Sequence, residues 1–412
     1  MNSSLSFYKE KNVYIVTDNC KETLVVMCLK VGCGQEPHEK NGIAHLVEHM
    51  SLAYRHHFST LYKSLKGAGF RSSGYTNYGQ TILMFTFPSN LENIFKFKLL
   101  IETITSTSSV CGNTFELSKV EILSECKEKA HQWHWQQQLI SFITDHQIED
   151  LPVGKVNEIE RLNIHDAVDF IQKFYTFDNS MFIFFSSVSA HEIISTIHPL
   201  LQAMDQSSVN SLKPAIDSTC PEENKQEISV LLLQHPFNQK IVEIFFQKSY
   251  RPVNLKRKLT RMLFEIMSKT CIEEYVASSH YHQNCLSVSV SDKHVTTRFY
   301  YAVFTLDFTS VDENLSLFAE EIVNHLKQVV FTDHGLTEAK KSIIPFLSKP
   351  EQASREQLIQ NLTSHFFYGE PIHIINKHYK QIKEILNKIE AIDIVRYRDW
   401  VLQAPCKIVI ST

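Results

Sequence analysis

The hydrophobic pattern of the first half of the chain alternates between short apolar runs and longer segments of helical period. The short runs are rich in β-branched and aromatic residues, and they predict strands over residues 12–17, 23–31, 70–76, 81–87 and 180–187. Apolar residues that recur at three and four positions predict helices over residues 58–67, 90–106, 114–140 and 163–175, with a further helix beginning near Gly42. Thr114 is the predicted N-cap of the helix over 114–140, and the last helix in that list is predicted to start at Asn163 or at a residue near it.

The second half of the chain repeats this order after a break in the pattern. Residues 205–225 are polar, contain two prolines and have no periodicity, which favours a linker. Beyond it the pattern predicts strands over residues 226–235, 241–248, 283–291 and 297–307, a helix over 254–276 and further helices to about residue 402. Five residues have counterparts of the same type 227 positions later (393 − 166 = 227): Asp166, Phe170, Phe174, Met181 and Ile183 match Asp393, Tyr397, Val401, Ile408 and Ile410.

These patterns predict an α+β fold of two homologous domains, each a mostly antiparallel sheet flanked by helices. The predicted domains are residues 1–205 and 225–412, and residues 206–224 form the linker. A chain of 412 residues exceeds one ordinary hydrophobic core, and a hydrophobic content of 43% with 27 Phe supplies material for two.

Composition excludes several classes of protein. No apolar run approaches the length of a membrane span, and a net charge of −4 gives no reason to expect nucleic acid as a partner. The nine cysteines are scattered without a Cys-x-x-Cys pair, which indicates neither a disulfide framework nor a thiolate zinc site. The N-terminus has no secretory apolar region, and the first arginine is Arg55, which is not typical of an Arg-rich presequence. We therefore expect a reduced, cytoplasmic protein.

The run His45-Leu46-Val47-Glu48-His49 carries the strongest chemical signal. Histidines four apart lie on one face of a helix, where their ring nitrogens can share one tetrahedral metal ion. Glu48 projects from the same side and can reach a water in the open position of that metal. The alternative is an ordinary helical histidine pair, exposed or buried and hydrogen-bonded. A catalytic zinc usually takes three protein ligands, so a third ligand must come from elsewhere in the chain.

A pair of acidic residues lies on the predicted helix 114–140. Glu121 and Glu125 are four residues apart and share one face, where their like charges repel unless a cation offsets them. The residues alone leave open whether this face binds a metal or is simply solvated. The second predicted domain has no His-x-x-Glu-His run, so it is expected to be an inactive repeat of the first.

With these residues the chain resembles the inverted-zincin metallopeptidases, the family of pitrilysin, insulin-degrading enzyme and mitochondrial processing peptidase. Members carry His-x-x-Glu-His with a zinc-binding Glu on a later helix, and Glu125 stands at the usual separation from the second histidine (125 − 49 = 76). Further similar stretches are residues 42–50, 75–81, 151–154, 158–159 and 174–181. The resemblance implies one Zn²⁺ held by His45, His49 and Glu125, with Glu48 as general base and Glu121 as an outer carboxylate. It also implies that the two domains form one half of a clamshell.

The resemblance further implies an extended peptide substrate that adds as a strand beside residues 72–76. Ser73, Gly74 and Tyr75 are the expected substrate-binding residues, although Ser73 and Gly74 replace the Asn-Ala usual in the family. Members also place an Arg and, seven residues later, a Tyr in the second domain, where this chain has His280 and Ser287. Either a paralogous subunit without zinc supplies that pair or the activity is degenerate. The intact zinc motif favours a heterodimer over a homodimer.

The function that follows is a zinc-dependent endopeptidase acting on short unfolded peptides or on leader and precursor segments. One alternative is a structural or assembly subunit that uses this fold without hydrolysis, although such relatives usually have eroded metal ligands. A metal-dependent hydrolase of non-peptide substrates is a second alternative, by analogy of fold alone.

Overall fold

A computed structural model describes residues 6–52, 60–206, 228–248, 254–296, 299–310, 314–348, 354–372 and 379–412 of the chain. These residues divide into two compact units. The first unit comprises residues 1–130, 150–215 and 354–367, and the second comprises residues 131–149, 216–353 and 368–412. Residues 207–224 of the predicted linker lie outside the described residues.

The first unit is built on a six-stranded sheet in the order β1-β2-β6-β3-β5-β4. Its strands are β1 (Ser6–Glu10), β2 (Val13–Thr17), β3 (Glu22–Leu29), β4 (Arg71–Thr76), β5 (Thr81–Pro88) and β6 (Ser180–Ser186). Only β2 and β6 are parallel, and all other neighbours are antiparallel. The pattern predicted every one of these strands except β1. β4 forms an edge of the sheet.

The second unit has a five-stranded sheet in the order β7-β11-β8-β10-β9. Its strands are β7 (Ile228–Leu233), β8 (Lys240–Lys248), β9 (Cys285–His294), β10 (Tyr300–Phe308) and β11 (Cys406–Ser411). This order repeats that of the first sheet without a counterpart of β1, and the parallel pair β7–β11 takes the place of β2–β6. The predicted α+β class with two mostly antiparallel sheets is confirmed.

Fourteen helices occur within the described residues. The first seven are α1 (Ile43–Leu52), α2 (Thr60–Gly67), α3 (Leu91–Thr105), α4 (Gly112–Glu128), α5 (Ala130–Ile143), α6 (Val156–Ile159) and α7 (Ile164–Phe174). The others are α8 (Ala190–Gln206), α9 (Leu255–Ser278), α10 (Leu315–Gln328), α11 (Asp333–Ser348), α12 (Arg355–Tyr368), α13 (Tyr379–Asn387) and α14 (Ala391–Leu402). None of them is long and apolar enough to cross a membrane.

The internal repeat is visible in the last helix and strand of each sheet. Adding 227 to the bounds of α7 gives 391 and 401, and α14 runs from Ala391 to Leu402. Each of these helices leads into a strand of the parallel pair in its sheet, β6 or β11. The five matched residues therefore mark equivalent places in the two sheets.

The single helix predicted over 114–140 is wrong. The segment forms two helices, α4 and α5, separated at Lys129, whose φ of −104° and ψ of 18° leave helical geometry. α4 begins at Gly112 behind Cys111, so Thr114 is not its N-cap. The break lies next to Ala130, the last residue of the 1–130 segment of the first unit.

The core of the first unit holds α1 in place. Phe97 of α3 packs against Phe85, Phe87 and Phe184 of the sheet, and every residue of β6 is buried. α1 packs against α4, α7 and the edge strand β4. Because Leu46 and Val47 are fully buried in this packing, the orientation of the polar residues around them on α1 is set by the core.

Candidate metal centre

A tight turn and a partly buried carboxylate fix the start of α1. Gly42 has a φ of +100°, and a Cβ atom there would approach Cγ1 of Ile159 to 2.8 Å. Oε1 of Glu36 accepts a 2.8 Å hydrogen bond from the backbone N–H of Ala44, and Oε2 accepts one of 3.0 Å from Gly42. Oε2 also accepts a 2.8 Å bond from Nδ2 of Asn41. Glu36 thus satisfies N–H groups that the first turn of a helix leaves unpaired.

Sequence reasoning missed Glu36, because it lies upstream of Gly42 and outside any standard capping spacing. An acidic residue close upstream of a helix N-terminus was the available signal. Glu36 contacts Gly42 and Ala44 only because the loop between residues 36 and 42 folds back on the helix start. The pattern of apolar and polar residues does not predict the path of that loop.

The structure brings His45, His49 and Glu125 together. The two Nε2 atoms of the histidines are 3.2 Å apart. Oε2 of Glu125 lies 3.7 Å from Nε2 of His45 and 3.5 Å from Nε2 of His49. Among the described residues, these three form the only group of three or more His, Cys, Asp or Glu side chains with the spacing of a metal site.

These three distances fit a single tetrahedral ion. Zinc bonds to histidine nitrogen and carboxylate oxygen are about 2.0–2.2 Å long, so neighbouring ligand atoms on a tetrahedron are about 3.3 Å apart. Two imidazoles and one carboxylate are also the donor set of many catalytic zinc sites, with one position left for water or substrate. The residues present therefore fit a zinc ion.

Further side chains contact two members of this group. Oε2 of Glu121 lies 3.1 Å from Nδ1 of His49, which orients that ring with Nε2 toward His45 and Glu125. Nζ of Lys129 lies 2.8 Å from Oε1 of Glu125, the oxygen that does not face the histidines. Glu121 thus stands where the sequence expected an outer carboxylate, whereas Lys129 was not identified from the sequence.

Glu48 is buried beside the ligand group and is held by β4. Its side chain accepts a 2.9 Å hydrogen bond at Oε2 from the hydroxyl of Thr76. A Cβ atom on Gly74 would lie 3.0 Å from Oε1, so the backbone of the strand approaches the carboxylate closely at this residue. The sequence placed Gly74 at a substrate edge but did not predict its contact with Glu48, nor the role of Thr76.

Burial and neighbouring charges set the protonation of these groups. Burial, assisted by the neighbouring His49, lowers the pKa of His45 to about 4, so this imidazole is neutral and able to bind a metal at neutral pH. Burial raises the pKa of Glu48 to about 7, against the hydrogen bond from Thr76. The hydrogen bond with His49 is the largest influence that lowers the pKa of Glu125 to about 2, and Lys129 acts in the same direction.

The residues expected to bind substrate belong to the edge strand β4. Ser73 is exposed and Tyr75 is 45% exposed, and β4 pairs only with β5, which leaves its other edge free of a strand among the described residues. His280 and Ser287 belong to the second unit. There the hydroxyl of Ser287 donates to the carboxylate of Asp307, and the ring centroids of His280 and Tyr281 are 4.0 Å apart.

Residues 13–149 match the model of the insulinase family, peptidase family M16. No curated protein sequence matches the chain. The fold over the whole length is similar to solved structures of low sequence identity. The periplasmic protease PqqL of Escherichia coli is similar with a TM-score of 0.81 at 13% identity, covering 99% of this chain and 47% of that chain. This chain thus spans about half the length of PqqL.

Two further structures match along their full length. A protease from Helicobacter pylori has a TM-score of 0.71 at 13% identity, with 100% of both chains covered. The peptidase M16 inactive domain from Pseudomonas fluorescens has a TM-score of 0.74 at 11% identity, covering 99% of this chain and 97% of that chain. The resemblance to the inverted-zincin peptidases of the insulinase family is confirmed, by the family model over residues 13–149 and by the fold over the whole chain.

Proposed function

We propose that the protein is a zinc-dependent endopeptidase. The observation that carries this proposal is the tetrahedral spacing of Nε2 of His45, Nε2 of His49 and Oε2 of Glu125, with a buried Glu48 beside them. A zinc ion bound by these three residues would polarise the scissile carbonyl and lower the pKa of a water molecule in its open position.

Glu48 is the general base in this proposal. A carboxylate with a pKa of about 7 accepts a proton from water and returns it to a leaving amine at neutral pH. Thr76 holds one oxygen of Glu48 by a hydrogen bond, so the other oxygen is the one available for proton transfer. His45 and His49 act only as metal ligands, because their Nε2 atoms face Glu125.

The open edge of β4 supports a peptide as substrate. An extended chain that pairs with β4 places its backbone beside Gly74, where no side chain separates the strand from Glu48. Folded proteins cannot offer a free strand, so the proposed substrates are short unfolded peptides or leader and precursor segments. Ser73 and Tyr75, exposed on the same strand, would contact substrate side chains.

A paralogous subunit without zinc is the proposed partner, and the cytoplasm is the proposed location. The proposal of a heterodimer rests on His280 and Ser287, which stand where family members carry an Arg and a Tyr. Peptide cleavage by the purified chain alone, compared with cleavage after adding the co-purifying paralogue, tests this point. Full activity of the chain alone would contradict the heterodimer.

Zinc content and chelator-sensitive cleavage test the enzymatic proposal. We expect about one zinc ion per chain, cleavage of a library of unstructured peptides, loss of cleavage with a chelator and recovery on adding zinc. A protein that binds no metal and cleaves no peptide, with or without the paralogue, would favour the alternative of a structural or assembly subunit. The similarity to the inactive domain from Pseudomonas fluorescens is the observation that supports this alternative.

A further inference from the structure

Three charged residues follow one another along a single face of α4 and its end. Glu121, Glu125 and Lys129 are spaced by four residues, which places them one turn apart. The backbone N–H of Lys129 donates a 3.0 Å hydrogen bond to the carbonyl of Glu125, so Lys129 is the last residue that continues the helix hydrogen bonding before the break. The end of α4 therefore positions the lysine over Glu125.

The two oxygens of Glu125 have different partners. Oε1 is paired with Nζ of Lys129 at 2.8 Å, and Oε2 faces the two histidine nitrogens at 3.5 and 3.7 Å. A carboxylate that binds zinc through both oxygens takes up two coordination positions. With one oxygen held by an ammonium group, only the other is available to a metal.

We propose that Lys129 is a positioning residue that keeps Glu125 a one-oxygen ligand and so leaves the fourth coordination position open to water. This inference rests on the proposed zinc site and extends it to a residue outside the His-x-x-Glu-His motif. Lys129 touches neither substrate nor metal in this arrangement. It acts through the geometry of Glu125.

The same ammonium group has an electrostatic effect that must be separated from its effect on geometry. Glu121 and Glu125 repel each other on one face of the helix, and a cation at residue 129 reduces that repulsion. A purely electrostatic role would change the stability of α4 without changing how many oxygens of Glu125 bind metal. The test therefore needs a measurement of coordination as well as of stability.

The experiment compares Lys129→Met, Lys129→Arg and the control Lys127→Met in the full chain. Lys127 is exposed, belongs to α4 and lies on another face of the helix. Zinc affinity is measured by competition with a chromogenic chelator. The visible spectrum of the protein loaded with Co²⁺ reports coordination number, because four-coordinate Co²⁺ absorbs more strongly than five-coordinate Co²⁺. Thermal unfolding without metal reports the electrostatic effect on stability.

For Lys129→Met we expect zinc binding that is unchanged or up to about tenfold tighter, because the variant loses an ammonium group, 49% exposed, beside the metal site and frees a second oxygen of Glu125. We also expect a weaker Co²⁺ spectrum, while Lys129→Arg and Lys127→Met stay close to the unmodified protein. A Co²⁺ spectrum that Lys129→Met leaves unchanged would overturn the inference, whatever happens to zinc affinity or thermal stability. An unmodified chain that binds no zinc would instead contradict the proposed function itself.

Discussion

The hydroxyl of Thr76 donates a 2.9 Å hydrogen bond to Oε2 of Glu48, and so ties the edge strand β4 to the helix that carries the histidine pair. On the same strand, Gly74 lies against the other oxygen of that carboxylate. Thr76 therefore fixes one oxygen of the proposed general base, and the absence of a side chain at Gly74 leaves room for the other. A substrate that pairs with β4 would be positioned against Glu48 by the same strand.

Adding a methyl group at residue 74 should displace Glu48. A Cβ atom in Gly74→Ala would lie 3.0 Å from Oε1 of Glu48 and 3.0 Å from the carbonyl oxygen of Ile82. The side chain of Glu48 moves more easily than the paired backbone of β5, so we expect the carboxylate to shift. Because family members usually carry Ala at this position, we expect a small displacement and a fall in kcat of less than about tenfold, with unchanged zinc content. Gly79→Ala is the matched control, since no atom lies within 4 Å of its Cβ position. Equal activities of the two variants would contradict this role of Gly74.

Replacing Glu48 by glutamine should separate metal binding from cleavage. The amide keeps the size of the side chain and can still accept a hydrogen bond from Thr76, but it cannot take a proton from water. We expect peptide cleavage to fall by about 10²- to 10⁴-fold, while zinc content and thermal stability are retained. Glu128→Gln, an exposed residue on α4, is the control. Retained turnover in Glu48→Gln would exclude Glu48 as the base.

Glu121→Gln should weaken metal binding without removing a ligand. The amide oxygen can still accept a hydrogen bond from Nδ1 of His49, but the negative charge that strengthens the ring as a ligand is lost. We expect about 10- to 100-fold weaker zinc binding in a competition titration. Glu116→Gln, exposed on the same helix, should bind zinc as tightly as the unmodified protein. A titration that finds the same affinity for both variants would leave Glu121 as a surface residue.

Glu36→Gln should destabilise the start of α1. The two oxygens of Glu36 accept hydrogen bonds from the N–H groups of Gly42 and Ala44, one each. A carboxamide has only one oxygen, so one of these N–H groups would face the NH₂ group, which is a donor, and would lose its acceptor. We expect the free energy of unfolding of the first unit to fall by about 1–2 kcal/mol, with weaker zinc binding. Glu39→Gln, exposed in the preceding loop, should change neither quantity. Hydrogen exchange at the first amides of α1 locates the effect.

Glu370 should make the second unit sensitive to acid. Its carboxylate is paired with Arg261 at 2.9 Å and with Lys258 at 3.0 Å. Burial opposes ionisation, but these two cations outweigh it and lower the pKa of Glu370 to about 2, from an ordinary value of 4.5. A carboxyl group whose pKa is lowered by folding stabilises the folded state above its ordinary pKa. That contribution, about 3 kcal/mol, is lost as the pH falls from about 4.5 toward 2.

Denaturant unfolding followed by tryptophan fluorescence measures this effect, because all three tryptophans lie in the second unit. Glu370→Gln should be less stable than the unmodified protein at pH 7, and its stability should fall less steeply between pH 4.5 and 2. Glu338→Gln, with a side chain 54% exposed in the same unit, should follow the unmodified protein. Parallel pH profiles for all three proteins would rule out Glu370 as the acid-sensitive group.

The sequence by itself determined the features that depend on short-range periodicity. The strands and helices around the site follow from the spacing of apolar residues, as in β5 and α7, and the start of α7 at or near Asn163 follows from the same pattern. The helical placement of His45 and His49 on one face also needs only the period of the helix. The fold class followed from the recurrence of this pattern in the second half of the chain.

Only the tertiary structure decided which distant groups meet. Glu125 reaches the histidines because α4 packs against α1, and Thr76 reaches Glu48 because β4 packs on the same helix. The break at Lys129 and the return of Glu36 to the start of α1 depend on contacts between segments and on backbone torsions. Local propensity does not encode these, because their free energy comes from packing and burial that exist only once the chain has folded.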